Sequence, residues 1–209
     1  VNQDTLVAAW SAGASWCAAW AFMRAGDRRR PHAGWARAGF VCCALGMLSK
    51  GLIGVALPGM VLFVWLSLAR RWRQVPRLPW LSGLALFGAI AVPWFVLAAQ
   101  RYPDLWSYMF GAQQFGRYTG GGFNNQHPWW FYIAGLLLLL FPWPLFMLFR
   151  RPAQANQAQV ATNKVAKDTT LLAWVWLLAI LIFFSIPRSK LIGYVLPVLP
   201  PLALLAAAG

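Results

Sequence analysis

Glutamate is missing from this chain of 209 residues, and charged residues of every kind make up only 11% of it. A soluble globular domain carries about a quarter charged residues, so an ordinary water-facing surface is excluded. Cysteine is scarce as well. Cys17, Cys42 and Cys43 lie inside apolar runs. Neighbours in sequence do not bridge each other and none of the three has metal-ligand spacing, so they read as small core or lipid-facing residues. No internal repeat is present, which removes a signature of many secondary transporters. An initiating Met and a signal-peptide pattern are absent too, and Gly209 directly follows an apolar run. The expectation is an internal fragment of a longer protein.

What fills the chain instead is apolar: 60% hydrophobic residues, with 14 Trp and 14 Phe. Runs such as Leu81 to Ala99 and Trp129 to Phe149 have the roughly 20 residues that cross a bilayer. The expected fold is an all-α membrane protein, a polytopic bundle of transmembrane helices. Its apolar segments are about 5–23, 38–49, 51–69, 79–99, 129–149, 169–186 and 191–208, in one transmembrane domain spanning 1–209. A net charge of +14 invites a nucleic-acid reading, but the cations sit in short clusters between apolar runs rather than along one face. The excess is topological, and no nucleic-acid partner is expected.

Three clusters belong on the cytoplasmic side: Arg24, Arg28, Arg29, Arg30 and Arg37; Arg70, Arg71, Arg73 and Arg77; Arg150, Arg151, Lys164 and Lys167. A single crossing over 38–69 would put the first two on opposite faces. That stretch is therefore a short, re-entrant-like hairpin with its tip at Ser49, Lys50 and Gly51. Its first arm, 38–49, rises only about 18 Å against a hydrocarbon core of about 30 Å unless cytoplasmic residues extend it. The N-terminus with Asp4, the hairpin tip, the loop Gln100 to Pro128 and the turn Ile186 to Lys190 then share the other face. Trp129-Trp130-Phe131-Tyr132 would form an aromatic belt there, and Pro152 to Lys167 a flexible cytoplasmic linker.

That outer face should be poor in cations, yet it carries Lys50, Arg101, Arg117, Arg188 and Lys190. Interfacial anchoring accounts for some of them. A Lys between two apolar arms is costly unless it faces a protein interior or a water cavity, which makes Lys50 a site candidate. Gly51 and Gly54 would suit a tight turn or a close backbone approach beside it. Asp4 is either a helix N-cap or the partner of a cation or substrate. The long loop holds Gln113-Gln114-Phe115-Gly116-Arg117-Tyr118, the Gly120 to Gly122 run and His127, a residue suited to acid-base chemistry or to a plain structural role. Pro197, Pro200 and Pro201 should distort the last helix. Tyr194, four residues after Lys190, would share a helical face with it, or simply pack in the core.

Taken together, Asp4-Thr5-Leu6, Leu48-Ser49-Lys50-Gly51, Pro93-Trp94, Arg117-Tyr118 with His127-Pro128, Phe141-Pro142-Trp143 and Ser189-Lys190-Leu191 with Tyr194 and Pro197 resemble the integral-membrane glycosyltransferases of the GT-C class. Within it they are similar to the bacterial aminoarabinose transferases that modify lipid A, and more distantly to the protein O-mannosyltransferases. The resemblance implies a fragment of a larger GT-C transmembrane domain in the bacterial inner membrane, with a periplasmic active face. It also implies transfer of a sugar from a polyprenyl-phosphate donor to a lipid A or protein acceptor, among membrane lipids. Lys50, Arg117 and Lys190 would face the donor phosphate, Tyr194 and Asp4 would line the same pocket, and His127 would stand at its rim.

Two departures from the family pattern stand out. A Glu-His pair that precedes the arginine in relatives is Gln113-Gln114 here, which removes a possible ligand for a divalent metal. The family's catalytic Asp lies upstream of Val1, so no catalytic residue is assigned. The alternatives are a transporter or flippase for an anionic lipid, which also wants cations at membrane depth, and a structural subunit. A transferase leaves sugar on an acceptor, whereas a flippase only moves its lipid.

Overall fold

The computed structural model describes residues 3–25, 30–104, 127–128, 130–139, 141, 164–187 and 190–208. These residues are helical where they are regular. They fall into two compact units, 1–124 and 125–209. Among the described residues, three helices are long and apolar enough to cross a membrane: α1 (Gln3–Ala25), α4 (Trp80–Arg101) and α6 (Lys164–Ser185). Large apolar side chains stand outward on α4, among them Leu81, Leu84, Val92 and Leu97. Lipid is the solvent that tolerates such a face.

In the first unit, α2 (Ala33–Lys50) packs on α1, on α3 (Ile53–Leu68) and on α4. In a membrane the helices gain little from hydrophobic expulsion, so they associate through small residues that let backbones close in. The α1 face turned inward is of that kind, with Ser11, Ala14, Ser15 and Ala19 buried. Gly39 of α2 sits where a Cβ would meet Ala18, and Cys42 fills the space beside Gly13.

The first hairpin arm is the 18-residue α2 rather than a 12-residue stub. Pro31 and an extended His32 set its start. From there Ala33 to Arg37 join the helix and supply the missing turns. At the tip, Gly51 takes a φ of 72° and its N–H donates to the Met47 carbonyl at 2.8 Å. A positive φ is open to glycine at no steric cost. One turn on, a Cβ added at Gly54 would run into the backbone of Gly46 and Met47, so the two arms touch main chain to main chain.

At the opposite end, α3 stops with Arg70 at a φ of 54° while the Arg70 and Arg71 amides donate to the Ser67 and Leu66 carbonyls. This is the pattern that usually places Gly in the left-handed position. Arg71 is buried and donates to the Phe22 carbonyl at 2.9 Å, and Arg37 donates to Ser82 at 2.9 Å. A short 3-10 helix (Trp72–Arg77) leads into α4. Arg37 and Arg71, one from each of the first two basic clusters, thus lie at one end of the unit, with Asp4 and Lys50 at the other.

The second unit contains α5 (Phe131–Leu139), α6, a 3-10 helix (Ile192–Val198) and α7 (Leu199–Ala208). Here two expectations are corrected. The stretch Lys164 to Lys167, read as the end of a flexible linker, is the first turn of α6. Thr169 and Thr170 turn their hydroxyls back onto the Val165 and Ala166 carbonyls within that helix. Second, Lys190 and Tyr194 do not lie on one α-helical face. Leu191 between them is extended (φ −124°, ψ 139°) and the helix that follows is 3-10. Pro197 has no N–H to donate and its ring clashes with the carbonyl four residues back, which bars α-helix across this stretch. The segments Arg117, Gly120 to Gly122, Pro152 to Asn163 and Arg188-Ser189 lie outside the described residues.

Candidate functional site

Asp4 stands in the first turn of α1 and Lys50 in the last turn of α2. Each charge lies at the helix end whose dipole favours it. The Lys50 ammonium donates to Asp4 Oδ1, forming a salt bridge across 46 positions of sequence. Their side chains remain 23% and 17% exposed, so the pair is reachable from outside the protein. Of the two readings left open for Asp4, the structure takes the partner of a cation.

In the second unit Lys190 is buried, 4% exposed, and its ammonium donates to the His127 carbonyl at 3.1 Å and the Pro187 carbonyl at 2.7 Å. Among the described residues no carboxylate pairs with it. Burial therefore lowers its pKa from the ordinary lysine value, because two neutral carbonyls do not replace the hydration of an ammonium. His127 contributes its backbone here, while its exposed imidazole stacks on Phe131 with ring centres 4.1 Å apart. Tyr194 stacks on Phe184 at 5.2 Å. Arg101 is exposed at the end of α4, and Arg117 lies outside the described residues. The structure thus joins Asp4 to Lys50 in one unit and His127 to Lys190 in the other.

Tyr132 corrects the aromatic-belt reading, which expected it to face the interface. It is 1% exposed. With Leu136 it occupies the face of α5 that packs on the 3-10 helix, where Gly135 leaves room for Ile192. A belt is read from composition, which does not say which way a ring points. The i, i+3, i+4 spacing of Tyr132, Gly135 and Leu136 is the signal that identifies this face. For a metal, no group of three His, Cys, Asp or Glu side chains is close enough among the described residues. The stacked His127 ring has no such partner set among the described residues.

Residues 4–109 match the family model for dolichyl-phosphate-mannose-protein mannosyltransferase. The chain belongs to this mannosyltransferase family. Curated relatives of this family member include undecaprenyl phosphate-alpha-4-amino-4-deoxy-L-arabinose arabinosyl transferases. That of Pseudomonas paraeruginosa is 34% identical over 190 residues, covering 90% of this chain and 33% of the relative. That of Erwinia tasmaniensis is 29% identical over 206 residues, covering 98% of this chain and 35% of the relative. Among solved structures, ArnT from Cupriavidus metallidurans bound to undecaprenyl phosphate aligns with a TM-score of 0.71 at 30% identity, covering 98% of this chain and 39% of that one. Its apo state aligns with a TM-score of 0.69. This mannosyltransferase-family chain spans about a third of the length of the curated relatives it matches. The GT-C resemblance drawn from the motifs is the one these comparisons return.

Proposed function

We propose that this chain forms the donor-phosphate part of an integral-membrane glycosyltransferase that moves a sugar from a polyprenyl-phosphate carrier to a lipid A or protein acceptor. The proposed active face is the periplasmic side of the bacterial inner membrane. The observation that carries this reading is Lys50: an ammonium at the tip of an apolar hairpin, still reachable, and matched by a carboxylate from another helix. A carboxylate in that position is the stand-in for an anionic headgroup. Further support comes from Lys190, which is buried and held by neutral carbonyls, and from relatives whose names concern an undecaprenyl-phosphate-linked sugar.

In this proposal Lys50 exchanges Asp4 for an oxygen of the donor phosphate. Lys190, Arg117, Tyr194 and His127 are proposed as further donor-binding residues, Lys190 by exchanging its carbonyls for the ligand. As the glycosidic bond breaks, negative charge builds on the departing phosphate. Preorganised cations stabilise that charge more than they stabilise the bound donor, which lowers the barrier.

The test is sugar transfer by the full-length protein in membranes supplied with an undecaprenyl-phosphate-linked sugar. Lys50→Ala should slow transfer about 100- to 1,000-fold, by analogy with loss of an oxyanion donor. Lys50→Arg should restore only part, because a planar guanidinium replaces a compact ammonium. Normal turnover in correctly inserted Lys50→Ala protein would return this residue to an interfacial anchor. Movement of the carrier across the bilayer with its sugar still attached, and no modified acceptor, would favour the flippase.

A further inference from the structure

Among the described residues, the buried Tyr132 hydroxyl has nothing to donate to. The residue is 1% exposed, and its O–H finds no acceptor there. The Leu191 backbone N–H is turned toward its oxygen as a donor and the Tyr194 phenol stands nearby, and Leu191 follows directly on Lys190. Burying a phenol without a partner is unfavourable, and an interfacial tyrosine normally keeps its oxygen in water or on a carbonyl. Two other buried groups, Ser11 Oγ and Trp176 Nε1, share the lack. They lie within long helices, whereas Tyr132 opens α5 beside the segment that carries Lys190 and Tyr194. Lys190 and Tyr194 on that segment and Tyr132 on the helix packed against it bring one cation and two phenols into a single unit. An unmet donor beside a cation suits an oxyanion that arrives with the ligand.

We infer that Tyr132 is a further donor-binding residue, whose hydroxyl donates a hydrogen bond to an oxygen of the carrier's phosphate alongside Lys190. The inference rests on the reading of this chain as a polyprenyl-phosphate-dependent transferase. It specifies the phosphate rather than the sugar, because the groups around the hydroxyl are the amide of Leu191, which follows Lys190, and the Tyr194 phenol, donors that suit an oxyanion.

Such a residue has an unusual mutational signature. A buried hydroxyl whose proton has no acceptor contributes little to the ligand-free fold, so Tyr132→Phe should leave thermal stability nearly unchanged or raised. The same change should weaken binding of undecaprenyl phosphate, which has no sugar, at least fivefold. Both measurements are made on the purified full-length protein, by thermal unfolding and by titration with undecaprenyl phosphate. Unchanged affinity for undecaprenyl phosphate overturns the inference. A clear fall in stability overturns it too, since it shows that the hydroxyl has a structural partner. Lys50→Ala and Lys190→Ala run beside it: undiminished undecaprenyl phosphate binding in both defeats the transferase reading itself, whereas loss in those two with none in Tyr132→Phe defeats only the role of Tyr132.

Discussion

A lysine held by carbonyls instead of a carboxylate is a titrating group in waiting. Lys190 has its pKa lowered by burial, so the folded protein gives up this proton more readily than the unfolded chain does. Between the lowered value and the ordinary lysine range the unfolded state binds more protons, and stability rises with pH across that window. A bound phosphate acts in the opposite direction: an anion beside the ammonium raises its pKa and restores the charge. Donor binding should therefore take up a proton once the pH exceeds the lowered pKa of Lys190, and affinity should fall as pH climbs through it. Loss of a charge-assisted hydrogen bond of about 1.5–3 kcal/mol corresponds to roughly a 10- to 100-fold weakening. Lys190→Arg isolates the effect, because a guanidinium does not titrate there while the Tyr132, Tyr194 and Lys50 contributions stay in place. Titrations with undecaprenyl phosphate at stepped pH should show the alkaline decline in the wild type and its absence in Lys190→Arg. An identical decline in both would assign it to another group.

At the scale of elements, the α2–α3 hairpin rests on a contact only glycine permits. Gly54→Ala would force a methyl group into the Gly46 and Met47 main chain, which cannot swing aside as a side chain can. Overpacking of this kind costs about 1–3 kcal/mol. Gly59→Ala in the same helix meets nothing within 4 Å and should be neutral or slightly stabilising. Thermal unfolding of the two variants side by side checks the contrast, and equal stabilities would mean that the arms do not touch there. This hairpin was legible in the sequence because parity of the Arg clusters demands two crossings, and a lone Lys with Gly51 and Gly54 marks the tip. The end of the chain was less legible. Spacing alone puts Tyr194 above Lys190, but that geometry holds only on an α-helix, and proline acts on residues that precede it. Tyr132 was hidden for a different reason: an aromatic cluster at a helix entry has the composition of a belt whether or not one of its rings turns inward.

For the whole molecule, charge placement sets orientation before any packing is known. Arg37, Arg71 and their neighbours gather at one end of the first unit and Asp4 with Lys50 at the other. With the native cysteines replaced, Leu52→Cys at the exposed tip should react with a membrane-impermeant thiol reagent in intact spheroplasts. Arg73→Cys should react only after lysis. The reverse pattern would invert the threading and move the site to the cytoplasm. Which residues come together was less legible than which face they share, because Asp4 and Lys50 are 46 positions apart and nothing local announces the pair.

That pair has a consequence for selectivity under the proposed function. A bilayer offers anionic headgroups in great excess over any sugar carrier, and a bare ammonium at its surface would be occupied by them. Asp4 acts as a tethered competitor, present at a high effective concentration that no free lipid matches. A headgroup that meets Lys50 alone must displace this occupant and gains little. A ligand that also makes contacts beyond Lys50 gains enough elsewhere to win the exchange. The carboxylate thereby turns a sticky cation into a threshold, crossed only by a molecule that fits several contacts at once.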